Sequence, residues 1–366
     1  MDSWKEAASL IIIVDDKSSS SSSLSSSSQS FSILMTKRSA KSSFLASAFV
    51  FPGGHLESSD FSPKWWTVFN QAGFNHSKVN LVTNRINGLR SPIISECQTQ
   101  SAAREQLTSS TESNLLPADI GLRICAIRET FEETGVLIAS NSTESINLDS
   151  ELLEKWRPKV RESSENFIQF CYEMKIAPNI WDLYEWWNWL TPNALGHRRF
   201  DTMFYIYCTT IRPKANSDQK EVSDIEWYTP NELLELHMQK KAFLAPPQVY
   251  ELSRLSNFTD YQELMKFSSD REPNGVERWI PLMNGYQDGS TLFLPGDDMY
   301  ETIKTKSNDN QSIRSMPTLE QARSSVTNLN RIEFRVPIFQ AFCNIKLNCG
   351  QISPLTFSSN ILKSSL

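Results

Sequence analysis

The fold of this chain is decided by Arg128–Val136, which reads RETFEETGV. This stretch places Glu129, Glu132 and Glu133 within five residues of one another, after an apolar run and before a glycine. At 100° per residue, the three side chains fall within about a third of a helix circumference. Carboxylates that lie so close together either form a solvated helix face or share a cation. The remainder of the sequence discriminates between these two interpretations.

The residues around the glutamates predict an amphipathic helix. We expect the helix to be capped at Asp119 and to end at Gly135. The apolar stripe recurs at steps of four, three and four, lies opposite the glutamates, and consists of Ile120, Ile124, Ile127 and Phe131.

A ligand set of three carboxylates, without nitrogen or sulfur ligands, suits the hard cations Mg²⁺ or Mn²⁺. Such ions complete their coordination on substrate phosphates and serve phosphoryl-type displacement. An upstream element, FVFPGGHLESSD at Phe49–Asp60, favours this interpretation over a solvated face. There a strand ends in Gly53 and Gly54, where the absence of side chains lets the backbone approach a ligand or the helix.

The composition excludes several classes of protein. With 366 residues and 39% hydrophobic content, the chain can bury a large core. A net charge of −6 argues against broad nucleic-acid binding. The six cysteines form no CxxC motif, which is typical of reduced thiols, and with four histidines a zinc site is not expected. No apolar run approaches the roughly 18 residues of a membrane span, and the acidic residues in the opening MDSWKEAASL predict no secretory or mitochondrial leader.

Periodicity predicts strands at Ala7–Val14, Phe31–Thr36, Ala48–Phe51, Met203–Ile211 and Asp224–Tyr228. The first two are joined by a loop, Ser18–Ser30, in which eleven of thirteen residues are serine. Residues 61–117 form an insertion with some local helix. Further on, the sequence predicts a hairpin with its turn near Asp288, then a polar linker over Ile303–Asn330, and one last strand in RIEFRVPIFQAF.

The glycine element and the glutamate helix together resemble the two halves of the Nudix box, G-x5-E-x7-R-E-U-x-E-E-x-G-U, where U is aliphatic. Three departures are visible: Asp60 replaces a glutamate, Thr130 replaces an aliphatic residue, and residues 61–127 separate the halves where the pattern has seven. The matching positions are Gly54, Asp60, Arg128, Glu129, Glu132, Glu133, Gly135 and Val136.

A long insertion at this point is a trait of the animal acyl-coenzyme A diphosphatase branch of the Nudix hydrolases, which the sequence resembles. The segment ILMTKRS leading into FPGGHLESSD is similar to the extended signature of Nudix enzymes that act on coenzyme A. Further similarity lies in WNWLTPNALGHRRFDTMFYIY, EWYTPNELLE, LAPPQVYELSRL and LFLPGDDMYE.

The resemblance implies an α/β (α+β) fold, a sandwich of mixed β-sheet between helices, with a helical insertion and a C-terminal extension. The Nudix domain is expected at 1–245, with the insertion at 61–117 and the serine-rich loop at 18–30. A family-specific helix and hairpin are expected at 246–302, and a linker and C-terminal tail at 303–366.

The resemblance also implies the roles of the box residues. Glu132 and Glu133 are expected to bind Mg²⁺ or Mn²⁺, and Glu129 is either a third ligand or the base that receives the proton of water. Arg128 is expected to orient a glutamate of the cluster. Asp60, one methylene shorter than glutamate, is expected to be a weaker outer partner.

The implied reaction is hydrolysis of the diphosphate in coenzyme A and its acyl esters. Two alternatives stay open: another substrate, such as NADH or a capped RNA, and a binding module without catalysis. Anionic substrates favour cationic contacts, although arginines and lysines near strand ends are often only solvated surface charges. The candidate substrate-binding residues are Lys37, Arg38, Gly53, Gly54, Arg198 and Arg199.

The last three residues, Ser364, Ser365 and Leu366, resemble a peroxisomal S-K-L tripeptide without its central basic residue. An import receptor is therefore an expected partner, and the peroxisome the expected location. The mitochondrion or cytosol is the alternative, and secretion is not expected.

Overall fold

The structure of the chain, a computed structural model, describes residues 4–18, 29–41, 45–105, 115–143, 146, 148–193, 199–217, 219–305 and 316–357. The predicted serine-rich loop therefore lies largely outside the described residues. Among the residues that are described, no helix combines the length and the apolar character needed to cross a bilayer.

The main sheet is mixed and centres on β1. This strand pairs in parallel with β8 and in antiparallel with β2 and β4, and the strand order is β10-β3-β2-β1-β8-β7-β11, with β9 paired to β2. The five predicted strands are confirmed, and their ends differ from the prediction by at most three residues. The strands are β1 (Lys5–Asp15), β2 (Phe31–Arg38), β3 (Ala48–Val50), β4 (Gly53–His55), β7 (Leu183–Leu190), β8 (Phe200–Thr209), β9 (Val222–Tyr228), β10 (Phe243–Leu244) and β11 (Arg278–Trp279), with a separate β5 (Ala139–Ser140) and β6 (Ala177–Pro178) pair.

Helices cover both faces of this sheet. Tyr205 of β8 contacts Arg123, and Trp189, opposite Thr202 of β8, packs on Tyr250. Positions 202 and 205 point to opposite faces of a strand, so the two helices that carry Arg123 and Tyr250 form opposite layers. The predicted sandwich is confirmed. The helices are α1 (Lys64–Gln71), α2 (His76–Asn84), α3 (Pro92–Ser95), α4 (Gln98–Glu105), α5 (Ala118–Thr134), α6 (Ser150–Glu162), α7 (Glu165–Met174), α8 (Pro230–Met238), α9 (Pro246–Leu255) and α10 (Tyr261–Arg271).

The end of the chain forms a second, antiparallel sheet in the order β12-β13-β14-β15, with α11 (Tyr300–Thr305) and α12 (Leu319–Ser324) beside it. The predicted hairpin is confirmed as β12 (Leu282–Tyr286) and β13 (Gly289–Phe293). The expected polar linker contains α12, and the expected last strand is a further hairpin, β14 (Asn330–Arg335) and β15 (Ile338–Cys343). The domain boundaries after residues 245 and 302 stay predictions.

The glutamate helix is α5, whose end at Gly135 is confirmed by a left-handed φ of 72° there. The predicted cap at Asp119 is wrong, because the N-cap residue is Pro117. The Asp119 carboxylate instead accepts a hydrogen bond from Thr83 Oγ1 and pairs with Arg90 Nη2, each at 3.0 Å. Both partners belong to the insertion, so Asp119 fastens the insertion to the start of α5.

Candidate active site

Arg128 is the centre of a buried cluster of carboxylates. Its Nε and Nη2 donate to the two oxygens of Asp60 at 2.9 and 3.0 Å, and its Nη1 donates to Glu129 and Glu132 at 2.9 and 2.8 Å. The backbone oxygen of His55 accepts a further bond from Nη2 at 2.8 Å. With Arg128 only 1% exposed, these contacts order the carboxylates around one guanidinium.

The position of Asp60 follows from a short 3-10 helix at Ser58–Phe61. Its carboxylate accepts the backbone N–H of Glu57 at 2.9 Å, and the side chain of Glu57 closes the capping box in return. Asp60 was expected as a weak outer partner. It is 1% exposed and binds Arg128 with both oxygens, so the shorter side chain matches the distance between this turn and α5.

The glycine pair brings β4 against the helix. A Cβ at Gly54 would overlap the carboxylate of Glu129, and a Cβ at Gly53 would overlap the backbone oxygen of Ala8. Gly53 also has a φ of 154°, which favours glycine. Its N–H donates to Glu133 Oε2 at 3.2 Å, so the turn both approaches and orients the helix glutamates.

Burial and mutual repulsion raise the pKa values of all three helix glutamates. Burial is the largest cause in each case, and it raises the pKa of Glu129 to about 7 with help from Glu132 and Asp60. The pKa of Glu132 is raised and that of Glu133 is raised well above the usual range. Burial alone would lower the pKa of Arg128, but Asp60 and Glu129 outweigh it and raise that pKa. When all four are ionised, Asp60, Glu129, Glu132 and Glu133 carry more negative charge than the one guanidinium neutralises, so ionising them together is unfavourable without a further cation.

A divalent cation fits this charge imbalance and the all-oxygen donor set. Within the described ranges, no three acidic, histidine or cysteine side chains already stand in metal-ligating geometry. The hydrogen bonds explain why: Glu129 and Glu132 turn to Arg128, and Glu133 turns to the N–H of Gly53.

Two of the predicted cationic residues lie at the end of β2. Arg38 is close enough to Glu133 for its charge to lower the pKa of that carboxyl, against the larger effect of burial. Lys37 places Nζ 5.4 Å from the centre of the Phe49 ring on neighbouring β3. The structure thus brings Arg38 towards the glutamates, whereas Lys37 packs along the sheet.

Of the second predicted cationic pair, Arg198 and Arg199, the structure describes only Arg199. Arg198 lies outside the described residues. Arg199 is 5% exposed, donates from Nε to the backbone oxygen of Thr191 at 2.9 Å, and stacks its guanidinium on Trp4. These contacts join Arg199, just before β8, to Thr191, just after β7, and to Trp4. The sequence pattern did not indicate that Arg199 is buried among such partners.

The sequence reasoning missed three residues around the cluster. His55 follows the glycine pair, stacks on Phe200 at 5.2 Å, and has a pKa lowered by burial and then by Lys5 and Arg128. Its place directly after the glycines was a usable signal. Arg157 and Arg161 reach the backbone of α5 from α6, and nothing local in the sequence marks them because the contact depends on helix packing.

Comparison with known proteins identifies the family of this chain. The model of the NUDT19 Nudix domain matches residues 4–255. The acyl-coenzyme A diphosphatase NUDT19 of Xenopus laevis is 39% identical over 345 residues, covering 90% of this chain and 87% of that protein. The human protein of the same name is 34% identical over 282 residues, covering 74% of this chain and 73% of that protein.

Solved structures are more distant. The crystal structure of a Nudix hydrolase from Alicyclobacillus acidocaldarius covers 73% of this chain and 97% of its own, at 16% identity and a TM-score of 0.47. A similarity of this size adds nothing to the assignment, which depends on the family model and the animal relatives. By those two findings, this chain belongs to the NUDT19 branch of the Nudix hydrolases.

Proposed function

We propose that this chain is a diphosphatase, dependent on Mg²⁺ or Mn²⁺, that hydrolyses coenzyme A and acyl-coenzyme A. The products would be adenosine 3′,5′-bisphosphate and 4′-phosphopantetheine or its acyl form. The observation that carries the chemistry is the buried cluster in which Asp60, Glu129 and Glu132 contact Arg128 and Glu133 lies beside them on the N–H of Gly53. The substrate is supported by relatives that carry the name acyl-coenzyme A diphosphatase.

Nudix hydrolases as a family use a divalent metal ion, and the choice of Mg²⁺ or Mn²⁺ is part of the proposal. Glu132 and Glu133 would hold the ion, with Glu129 as third ligand or base. When bound, the ion neutralises charge on the diphosphate oxygens and lowers the pKa of the attacking water. Arg128 keeps Glu129 and Glu132 at the cluster, and Asp60 keeps Arg128 in place.

Glu129 is the candidate that receives the proton. Burial raises its pKa to about 7 in the metal-free protein, which suits a general base near neutral pH, and its carboxylate lies against Gly54 of β4. The oxygen of water forms a bond to one phosphorus while its proton passes to Glu129. The bond from that phosphorus to the bridging oxygen breaks, and the second phosphate leaves with the electron pair.

Cationic contacts to the substrate are assigned to Arg38 and Lys37, with Arg198 and Arg199 as further candidates. Arg38 is favoured because its charge already acts on Glu133. We expect Arg38→Gln to raise KM for acyl-coenzyme A while leaving kcat nearly unchanged, since the contact exists in both ground and transition states. An unchanged KM would remove Arg38 from the substrate site.

The decisive experiment incubates the purified chain with acyl-coenzyme A and Mn²⁺ in ¹⁸O-labelled water and identifies the products by mass spectrometry. Adenosine 3′,5′-bisphosphate and acylphosphopantetheine are expected, with the label on one of them identifying the attacked phosphorus. No turnover of any thioester or of free coenzyme A would overturn the proposal. Parallel reactions with NADH and capped RNA compare kcat/KM and test the alternative substrates.

We also propose that the chain acts in the peroxisome, through recognition of Ser364, Ser365 and Leu366 by an import receptor. The support is the sequence of this tripeptide alone, since it lies outside the described residues. A fluorescent protein fused to the N-terminus should become punctate and colocalise with a peroxisomal marker. Deleting Leu366 should make the signal diffuse, and an unchanged pattern would contradict the proposal.

A further inference from the structure

The C-terminal end of α5 is unusual in how its last carbonyl oxygens find partners. The final four carbonyls of any helix lack partners within the helix itself. In α5, the Phe131 oxygen accepts from Gly135 N–H at 2.9 Å, and the Thr134 oxygen accepts from Asn216 N–H at 2.8 Å. The remaining two carbonyls belong to Glu132 and Glu133, the residues proposed to bind the metal.

Those two carbonyls accept hydrogen bonds from arginines of α6. Arg157 donates from Nε to the Glu132 oxygen at 2.9 Å and from Nη2 to the Glu133 oxygen at 2.6 Å. Arg161 donates from Nη2 to the Glu132 oxygen at 2.8 Å. Arg157 is 4% exposed, so its two bonds form in a buried environment where an unpaired carbonyl is costly.

The positive charges of Arg157 and Arg161 also lie at the C-terminal end of α5, where a positive charge is stabilising. The C-terminal end of a helix is its negative pole, which disfavours carboxylates in the last turn. Glu132 and Glu133 nevertheless occupy that turn, with buried side chains. A guanidinium at the carbonyls offsets the helix dipole and fixes the backbone from which both carboxylates extend.

We infer that Arg157, assisted by Arg161, is a positioning residue for the metal-binding glutamates. It acts through its hydrogen bonds to the backbone oxygens of Glu132 and Glu133. Nε and Nη2 lie in one rigid plane and match two successive carbonyls, an arrangement that the flexible ammonium group of a lysine does not hold in advance. This inference rests on the proposed function, because it assumes that those carboxylates hold a divalent ion.

The test measures Mn²⁺ binding to the full-length protein by electron paramagnetic resonance, in which free Mn²⁺ gives the signal. Arg157→Ala should raise the Kd for Mn²⁺ about 10- to 100-fold, the range typical of lost partners behind metal ligands. Arg157→Lys should fall between Arg157→Ala and wild type, and Arg161→Ala should cause a smaller change. In each variant, added Mn²⁺ should restore much of kcat, with little change in KM for the substrate.

The matched control is Arg331→Lys, another buried arginine with a bidentate partner, which lies in the C-terminal sheet. It should lower the melting temperature while leaving the Kd for Mn²⁺ unchanged. If Arg157→Ala does not fold, Arg157→Lys decides the question. Wild-type Mn²⁺ binding with unchanged Kd in the Arg157 variants would overturn this inference alone, whereas absence of wild-type binding would overturn the metal part of the proposed function.

Discussion

Two buried arginines of this molecule have opposite surroundings. Arg331, in β14 of the C-terminal sheet, pairs with Asp297 through two bonds of 2.7 Å, and both side chains are fully buried. Arg128, in α5, is equally bidentate to Asp60 but also donates to Glu129 and Glu132.

The difference lies in the balance of charge. Asp297 also accepts hydrogen bonds from the backbone N–H groups of Asn330 and Met299. Protein groups therefore account for the burial of the Asp297 carboxylate, and no ligand is needed to explain it. The guanidinium of Arg128 faces more carboxylates than it can neutralise, and burial, with a smaller contribution from neighbouring carboxylates, raises the pKa values of Glu129 and Glu133. A buried ion pair with balanced charge indicates a structural role, whereas an excess of buried carboxylates indicates a candidate site for a cation.

The largest expected effect comes from removing one charge of the unbalanced cluster. Glu133→Gln should lower kcat about a thousandfold, equivalent to about 4 kcal/mol, because it removes a carboxylate that we propose as a metal ligand. The metal-free variant should be no less stable than wild type, since it lacks a carboxylate whose ionisation is disfavoured in the fold. Glu333→Gln, which alters an equally buried glutamate of β14, is the control and should keep full kcat. Substantial activity in Glu133→Gln would mean that this carboxylate is not a ligand.

The next largest effect is expected in the C-terminal sheet, where a substitution should lower stability and leave activity unchanged. Asp297→Asn should lower the free energy of unfolding by about 3 kcal/mol, because it leaves the buried charge of Arg331 uncompensated. Urea unfolding measures this loss, and kcat/KM per folded molecule should stay at the wild-type value. A fall in kcat/KM would show that the C-terminal sheet contributes to the active site and that the two regions are not independent.

The sequence predicted the parts of this site that depend on local patterns. The spacing of the glutamates, the helix end at Gly135 and the glycine pair of β4 are all readable within a few residues. The burial of the α5 glutamates could not be predicted from the sequence, because the insertion and β4 cover a helix face that would otherwise be solvated.

The errors arose where a distant segment competes for a side chain. Asp119 has the ideal chemistry for a cap, but Thr83 and Arg90 of the insertion bind its carboxylate. The tail reads as a linker with one strand, because the pairing of β13 with β14 joins segments about forty residues apart. Arg157 gave no local signal for the same reason, since its contact with α5 is set by helix packing.

The raised glutamate pKa values predict an unusual pH dependence for the metal-free protein. Between the ordinary pKa of about 4.5 and about 7, folded Glu129 retains a proton that the unfolded chain has lost. The free energy of unfolding should therefore fall as pH rises through this window, by up to about 1.4 kcal/mol per pH unit for each such proton.

Thermal unfolding after chelator treatment at pH 5, 6 and 7 measures this decline. Saturating Mn²⁺ should stabilise the protein more at pH 7 than at pH 5, because binding requires the deprotonated carboxylates. Glu133→Gln should reduce both effects, whereas Glu333→Gln should leave the Mn²⁺ effect intact. Stabilisation by Mn²⁺ that did not depend on pH would place the ion elsewhere.

The smallest effect compares one buried hydroxyl from each region. Thr130 in α5, where the Nudix box usually has an aliphatic residue, and Thr291 in β13 are at most 1% exposed. The Oγ1 atom of each has no hydrogen-bond partner among the described residues. Replacement by valine removes an unsatisfied polar group of nearly the same shape, so each variant should gain about 1 kcal/mol in the free energy of unfolding. Equal gains with unchanged kcat would make Thr130 a neutral departure from the box, whereas a loss of activity in Thr130→Val alone would assign its hydroxyl to the active site.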